Sequence, residues 1–244
     1  MNPLPSPPRP DDPHGVRHWP ALHSSARALA IATAAAADHR PWIVILPDAR
    51  SLDQLHRELQ FYAGDSLPVL HLPDWEVLPY DQYSPLPDLV SVRLATLARL
   101  PTLQRGVVLA SAESLMQRLP PTDFIEGRSF DIAVGQKFSI TAASAQLARA
   151  GYSAVAQVGA PGEFALRGSL FDVFPMGYPQ ALRIDLFDDG IDSIRHFDPD
   201  TQRSLDRLES LRLLPARVSP VVRITRRAGR YWNNVAVRSK NSGR

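Results

Sequence analysis

The sequence predicts an α/β layer built on a parallel sheet, followed by a separate α+β module. Three observations carry that prediction. β-Branched apolar runs alternate with helix-spaced apolar residues from Trp42 to Arg118. From about Thr122 the texture changes to a single helix among short strand patterns. Asp189-Gly190 then separates two alternating runs, which signals a tight hairpin turn.

The elements follow in order. Met1 to Pro13 is proline-rich and has no apolar stretch of the signal-peptide kind, so residues 1–20 are expected to form a disordered leader. Trp42 to Pro47 (WIVILP) is a continuous apolar run, as in a strand buried on both faces. Asp48 is placed to cap the next helix, which carries Leu52, Leu55, Leu59 and Tyr62 at helical spacing. Leu67 to Leu72 is a second strand. A second helix is expected from a cap at Asp88, with Leu89, Val92, Leu94, Leu97 and Leu100 on its apolar side. Gly106 to Ala110 is a third strand, and Glu113 to Arg118 a short helix. Beyond Thr122, one helix is expected within Phe138 to Tyr152, with Leu147 inward. Everything else to Pro215 reads as short strands, with Leu182–Phe187 and Ile191–Phe197 paired antiparallel.

Composition excludes several classes. With 244 residues, 44% of them hydrophobic, the chain builds a core. It has no cysteine, so it has neither a disulfide framework nor a thiolate metal site, which fits a cytoplasmic protein. The richest apolar stretch, the alanine-dominated Ala26 to Ala37, falls short of the ~20 residues of a membrane span. The net charge of +2 conceals an asymmetry: Arg217 to Arg244 holds seven Arg, one Lys and no acid. Without those eight, 19 bases face 25 acids, a net of −6 for residues 1–216. A nucleic-acid-binding body usually shows a basic excess.

Motifs for phosphate and metal chemistry fail. The turn ahead of the first helix reads LHSSARA (Leu22 to Ala28), without the Gly and Lys of a P-loop. The only lysines, Lys137 and Lys240, lie elsewhere. Neither an enzymatic activity nor a cofactor is expected. Asp198, Asp200, Gln202 and Glu209 match positions 1, 3, 5 and 12 of a calcium loop, but Arg203 stands where the loop needs Gly. That segment reads as a solvated acidic turn. His56 and His71 read as structural, and Asp185, Asp188, Asp189 and Asp192 as a soluble hairpin surface. Trp75 and Tyr80 invite a base-stacking role, but Pro73 and Pro79 favour a packed loop.

One strand stands out. Leu182, Ile184 and Leu186 alternate with Arg183, Asp185 and Phe187. Successive strand residues face opposite ways, so a core on the aliphatic side leaves Arg183 and Phe187 together on the other. An arginine beside an aromatic is the composition of a docking hot spot. The alternation equally allows Phe187 to be buried against the Phe138–Tyr152 helix. It also allows Arg183 simply to pair with Asp185 or Asp172, a surface contact of ~0–1 kcal/mol.

Two segments carry a resemblance. Leu72 to Pro85 reads LPDWEVLPYDQYSP, and Gly162 to Pro175 reads GEFALRGSLFDVFP, followed by RIDLFDDGIDSIRHFDPDTQRS from Arg183 to Ser204. Together they resemble the N-terminal region of the bacterial transcription-repair coupling factors (Mfd), itself similar to UvrB. The likeness runs over residues 42–220. It implies a degenerate RecA-like parallel-sheet domain at residues 21–121, without a P-loop. Inserted after it, at residues 122–207, is an α+β UvrA-binding domain, and residues 208–220 begin the return to the first domain. It implies UvrA contact through Arg167, Arg183 and Phe187; Arg167 rests on the resemblance alone. Tyr80 to Pro85 passes almost directly to the helix at Asp88, leaving no room for the DNA-clamping aromatic hairpin of UvrB.

The chain departs from the family at its end. A coupling factor continues into an RNA polymerase-binding domain and ATP-driven motor domains. Here residues 221–244 form a basic tail without helical period. That tail is expected to be a truncated or out-of-frame end, a natural stand-alone adaptor being the other possibility. The expected function is a non-catalytic module that recruits UvrA in nucleotide excision repair. The alternative is a DNA-binding or translocase fragment, or a nucleic-acid binder acting weakly through the phosphate-attracting tail.

Overall fold

The computed structural model describes residues 25–77 and 84–217, together with residue 22. The proline-rich leader, Tyr80 and the hairpin question at residues 78–83, and the basic tail lie outside the described residues.

The first half alternates as expected. Helix α1 (Ala26–Ala36) precedes strand β1 (Pro41–Leu46), helix α2 (Ala49–Ala63), strand β2 (Val69–Leu72), helix α3 (Pro87–Arg99), strand β3 (Gly106–Ser111) and helix α4 (Ala112–Met116). The sheet is parallel, in the order β1-β3-β2. Asp48 caps α2, its Oδ1 accepting the Ser51 amide at 2.7 Å. The cap expected at Asp88 is corrected: Leu86 occupies the cap position, Pro87 opens α3, and Asp88 lies within the first turn. There its charge favours the positive helix end.

The two faces of this sheet have different covers. Leu52, Leu55 and Leu59 of α2 and the alanines of α1 pack on Val107 and Leu109 of β3. On the opposite face, α3 lies against β2 and buries polar as well as apolar side chains. Thr96 Oγ1 donates to His71 O at 2.6 Å, and Arg93 Nη1 donates to Pro73 O. The Arg93 guanidinium lies 4.3 Å over the Trp75 ring, which makes Trp75 part of a packed loop. Burial lowers the Arg93 pKa to about 10.

The second half opens with a short helix the sequence did not predict, α5 (Thr122–Glu126), then strand β4 (Phe130–Ala133) and helix α6 (Ile140–Ala150). Ser139 caps α6, and Gly151, at φ +98°, closes it in the left-handed region. Leu147 is buried. Strands β5 (Ser153–Ala154), β6 (Glu163–Arg167), β7 (Leu170–Phe174), β8 (Ala181–Phe187), β9 (Gly190–Phe197) and β10 (Ser204–Leu208) follow. They form one sheet in the order β10-β9-β8-β7-β6-β5, antiparallel except for β5 with β6. Strand β11 (Ser210–Leu213) returns to pair with β4.

The halves share one core. Leu72, Leu94, Leu97 and Ala110 from the first join Leu147, Phe171, Leu182 and Ile184 from the second. A hydrogen bond reinforces the junction: the Gly177 amide donates to Ser91 Oγ at 2.8 Å.

Candidate functional site

The register of the six-stranded sheet assembles the site. Ala165, Asp172, Arg183 and Arg195 stand opposite one another across β6, β7, β8 and β9. Their side chains therefore share a face. Two residues along, Arg167, Leu170, Asp185 and Ser193 form the next row on that face. The opposite face holds Leu182 and Ile184, both fully buried, and Leu186, half-buried against the same core. The period-2 reading of this strand thus places its aliphatic and polar sets correctly.

Arg183 is engaged rather than free. Its Nε donates to Asp172 Oδ1 at 2.8 Å and its Nη2 to Asp172 Oδ2 at 2.9 Å, a bidentate pair. Nη2 also reaches Gln202 Oε1 at 2.9 Å. The guanidinium stacks 4.4 Å over Phe197. The hydrogen bond to Asp172 raises the Arg183 pKa above its ordinary value. The surface-pair reading is therefore corrected: the Asp172 side chain is only 1% exposed and that of Arg183 13%. Such a pair is no solvent-screened contact, and removing one partner strands a buried charge.

Arg167, which strand alternation does not pick out, comes to the same acid. Its Nη2 donates to Asp172 Oδ2 and, at 2.9 Å, to Gln202 Oε1. Its side chain stays 40% exposed. The sheet thus brings Arg167 and Arg183 together around Asp172 and Gln202. Sequence reasoning missed Gln202 as a site residue. It lies in the 198–203 turn, where Asp198 Oδ1 accepts the amides of Asp200 and Thr201 at 2.8 and 3.3 Å. That turn puts the Asp198 carboxylate to structural use.

Phe187 lies on the same face, four residues from Arg183 and so about 13 Å along the strand. It does not join the arginine cluster. It is 79% exposed, which settles the choice against burial under α6. The hairpin that carries it turns at Asp188-Asp189, since Phe187 pairs with Gly190. This is one residue earlier than the sequence suggested. Asp188 takes the left-handed conformation at φ +56°, which Asp tolerates. Of the hairpin acids, Asp185 is not merely a solubilising charge: its Oδ2 accepts the Ser193 hydroxyl at 2.6 Å.

Comparison with known proteins places this sheet in a family context. The family model of the UvrB interaction domain matches residues 130–218, which contain the whole six-stranded sheet. The transcription-repair-coupling factor of Escherichia coli (strain K12) is 44% identical over 199 residues, covering 82% of this chain and 17% of that protein. The one from Haemophilus influenzae (strain ATCC 51907 / DSM 11121 / KW20 / Rd) is 43% identical over 195 residues, with 80% and 17% coverage. The one from Myxococcus xanthus is 35% identical over 202 residues, again with 80% and 17% coverage. The chain therefore spans about a sixth of the length of these curated relatives. Among the described residues no helix is long and apolar enough to cross a membrane.

Proposed function

The chain is homologous to the N-terminal region of the transcription-repair-coupling factors, and from that premise we propose that it is a non-catalytic cytoplasmic module that docks UvrA. In transcription-coupled nucleotide excision repair it recruits UvrA to stalled RNA polymerase. The polymerase contact belongs to parts of the longer relatives that this chain does not span. Residues 21–121 serve as a degenerate RecA-like support, and residues 122–207 present the docking face.

One observation carries this reading. Within the matched domain, Arg167, Arg183 and Phe187 occupy a single sheet face, with the arginines clustered on Asp172 and Phe187 exposed at the tip. An exposed aromatic and a half-exposed arginine that is already held in place lose little entropy on binding, which suits Phe187 and Arg167 to anchor a partner. The face is held by a core of both halves, so it is presented without reorganisation.

The test is a UvrA-binding measurement on the full chain and two variants. Arg183→Ala and Phe187→Ala should each cost about 2 kcal/mol of affinity, or roughly thirtyfold in Kd. Phe187→Ala should do so without lowering thermal stability. UvrA binding that stays unchanged in both variants overturns the proposal.

A further inference from the structure

Resting on the docking reading above, we propose that Gln202 and Asp172 are the positioning residues of the docking face. They hold the two arginines in the one geometry that presents Arg167 to the partner. Neither residue is an exposed anchor. Asp172 is buried, and Gln202 is half-buried in the turn between β9 and β10.

The connectivity supports this. Gln202 Oε1 accepts from Arg167 Nη2 and Arg183 Nη2 at 2.9 Å each, so one oxygen fixes the spacing of two guanidinium groups. Its own amide is anchored, with Nε2 donating to Pro199 O at 2.7 Å. The anchor reaches further back, since the Gln202 backbone amide donates to Asp198 O at 2.7 Å. Gln202 adopts this place at φ +59°, a backbone region that a residue other than glycine seldom takes. Asp172 supplies the opposing wall, taking Arg183 in a bidentate grip and Arg167 through Oδ2.

The consequence for Arg167 is directional. Among the described residues its hydrogen bonds use Nη2 alone. The remaining donors, Nε and Nη1, stay on a side chain that is 40% exposed. A planar guanidinium held at Nη2 points its Nε–H and Nη1–H groups in two fixed directions, each able to donate one hydrogen bond to a carboxylate. The chemistry on the partner is thus an acidic side chain opposite Arg167. An unheld arginine would have to lose its rotamer freedom on binding.

The test is a double-mutant cycle in UvrA affinity, read on the full chain. Gln202→Gly suits the left-handed backbone and removes the shared acceptor. It should weaken UvrA binding roughly tenfold, the scale of a hydrogen bond to a charged group. In an Arg167→Ala background that loss should shrink to less than half on a logarithmic scale, whereas in a Phe187→Ala background it should persist in full. Asp172→Asn, which keeps the volume and one acceptor, should show the same pattern. Losses of equal size in both backgrounds, or no loss, overturn the positioning role while leaving the docking reading intact. A wild-type chain that does not bind UvrA, or binding indifferent to Arg167→Ala and Phe187→Ala, overturns both.

Discussion

Asp172 gathers charge at a buried position. It is one carboxylate with two arginines, set in a strand whose neighbours Phe171 and Val173 are fully buried. Desolvating that acid is tolerable only because both of its oxygens are occupied. Asp172→Ala should therefore destabilise the chain by about 3 kcal/mol, because Arg183 would remain largely buried without its counter-charge. Replacing Arg183 by Met as well should restore much of the loss, since the pair acts as a unit. Chemical denaturation of the single and double variants checks this, and a double variant no more stable than Asp172→Ala alone would refute it. Alternation alone exposes Arg183 and Phe187 in the sequence, because a period of two is local. It is silent on Arg167, whose position is set by pairing with another strand, and on Gln202, whose role depends on a turn closing 19 residues away from Arg183.

Elements were legible where local chemistry decides them. The β1, β2 and β3 runs, the Asp48 cap and the β8–β9 hairpin each announce themselves in a few residues. Helix α5 has five residues and no side-chain cap, so its signal lay below what periodicity detects. The apolar stripe of α3 was read correctly at Leu94 and Leu97, yet the helix also buries Ser91, Arg93 and Thr96. Those three find carbonyl, amide or ring partners across the fold, and sequence spacing carries no trace of such partners. The α2–β2 contact makes its own prediction. The rings of His56 and His71 lie 4.2 Å apart. Burial, then the His56 charge, lowers the His71 pKa to about 4, and burial lowers that of His56 as well. The fold therefore favours the neutral rings. Unfolded, His71 takes up its proton near pH 6.5; folded, it does not until near pH 4. Stability should be fully present above pH 6.5 and fall as pH drops toward 4. His71→Phe should flatten that slope in thermal melts recorded across the window, whereas an unaltered slope would assign it to the carboxylates.

At the scale of the whole molecule, one shared core joins the halves, so the six-stranded sheet and the three-stranded sheet should unfold together. The composition shift at Thr122 marks a change of architecture and does not mark a break in packing: Leu72 and Ala110 lie in the same cluster as Phe171 and Ile184. The continuous apolar run of β1 predicts a strand buried on both faces, and the structure corrects that. On the α3 side of the parallel sheet, Ile43 and Ile45 of the edge strand β1 align with the buried Val108 and Ala110, yet remain 64% and 47% exposed. Helix α3 packs on β2, at the far edge of the sheet. An edge strand carrying exposed β-branched residues is a template for pairing with another chain. Self-association of the full chain should therefore rise with concentration, and Ile43→Thr with Ile45→Thr should suppress it. Thr keeps the β-branched shape that suits a strand and adds a hydroxyl that water can solvate at these exposed positions. The substitution should leave the melting temperature and UvrA affinity unchanged, because the proposed docking face lies on a different sheet. Light scattering against concentration decides the matter: equal self-association in the wild type and the double variant would show that this edge is not the sticky surface.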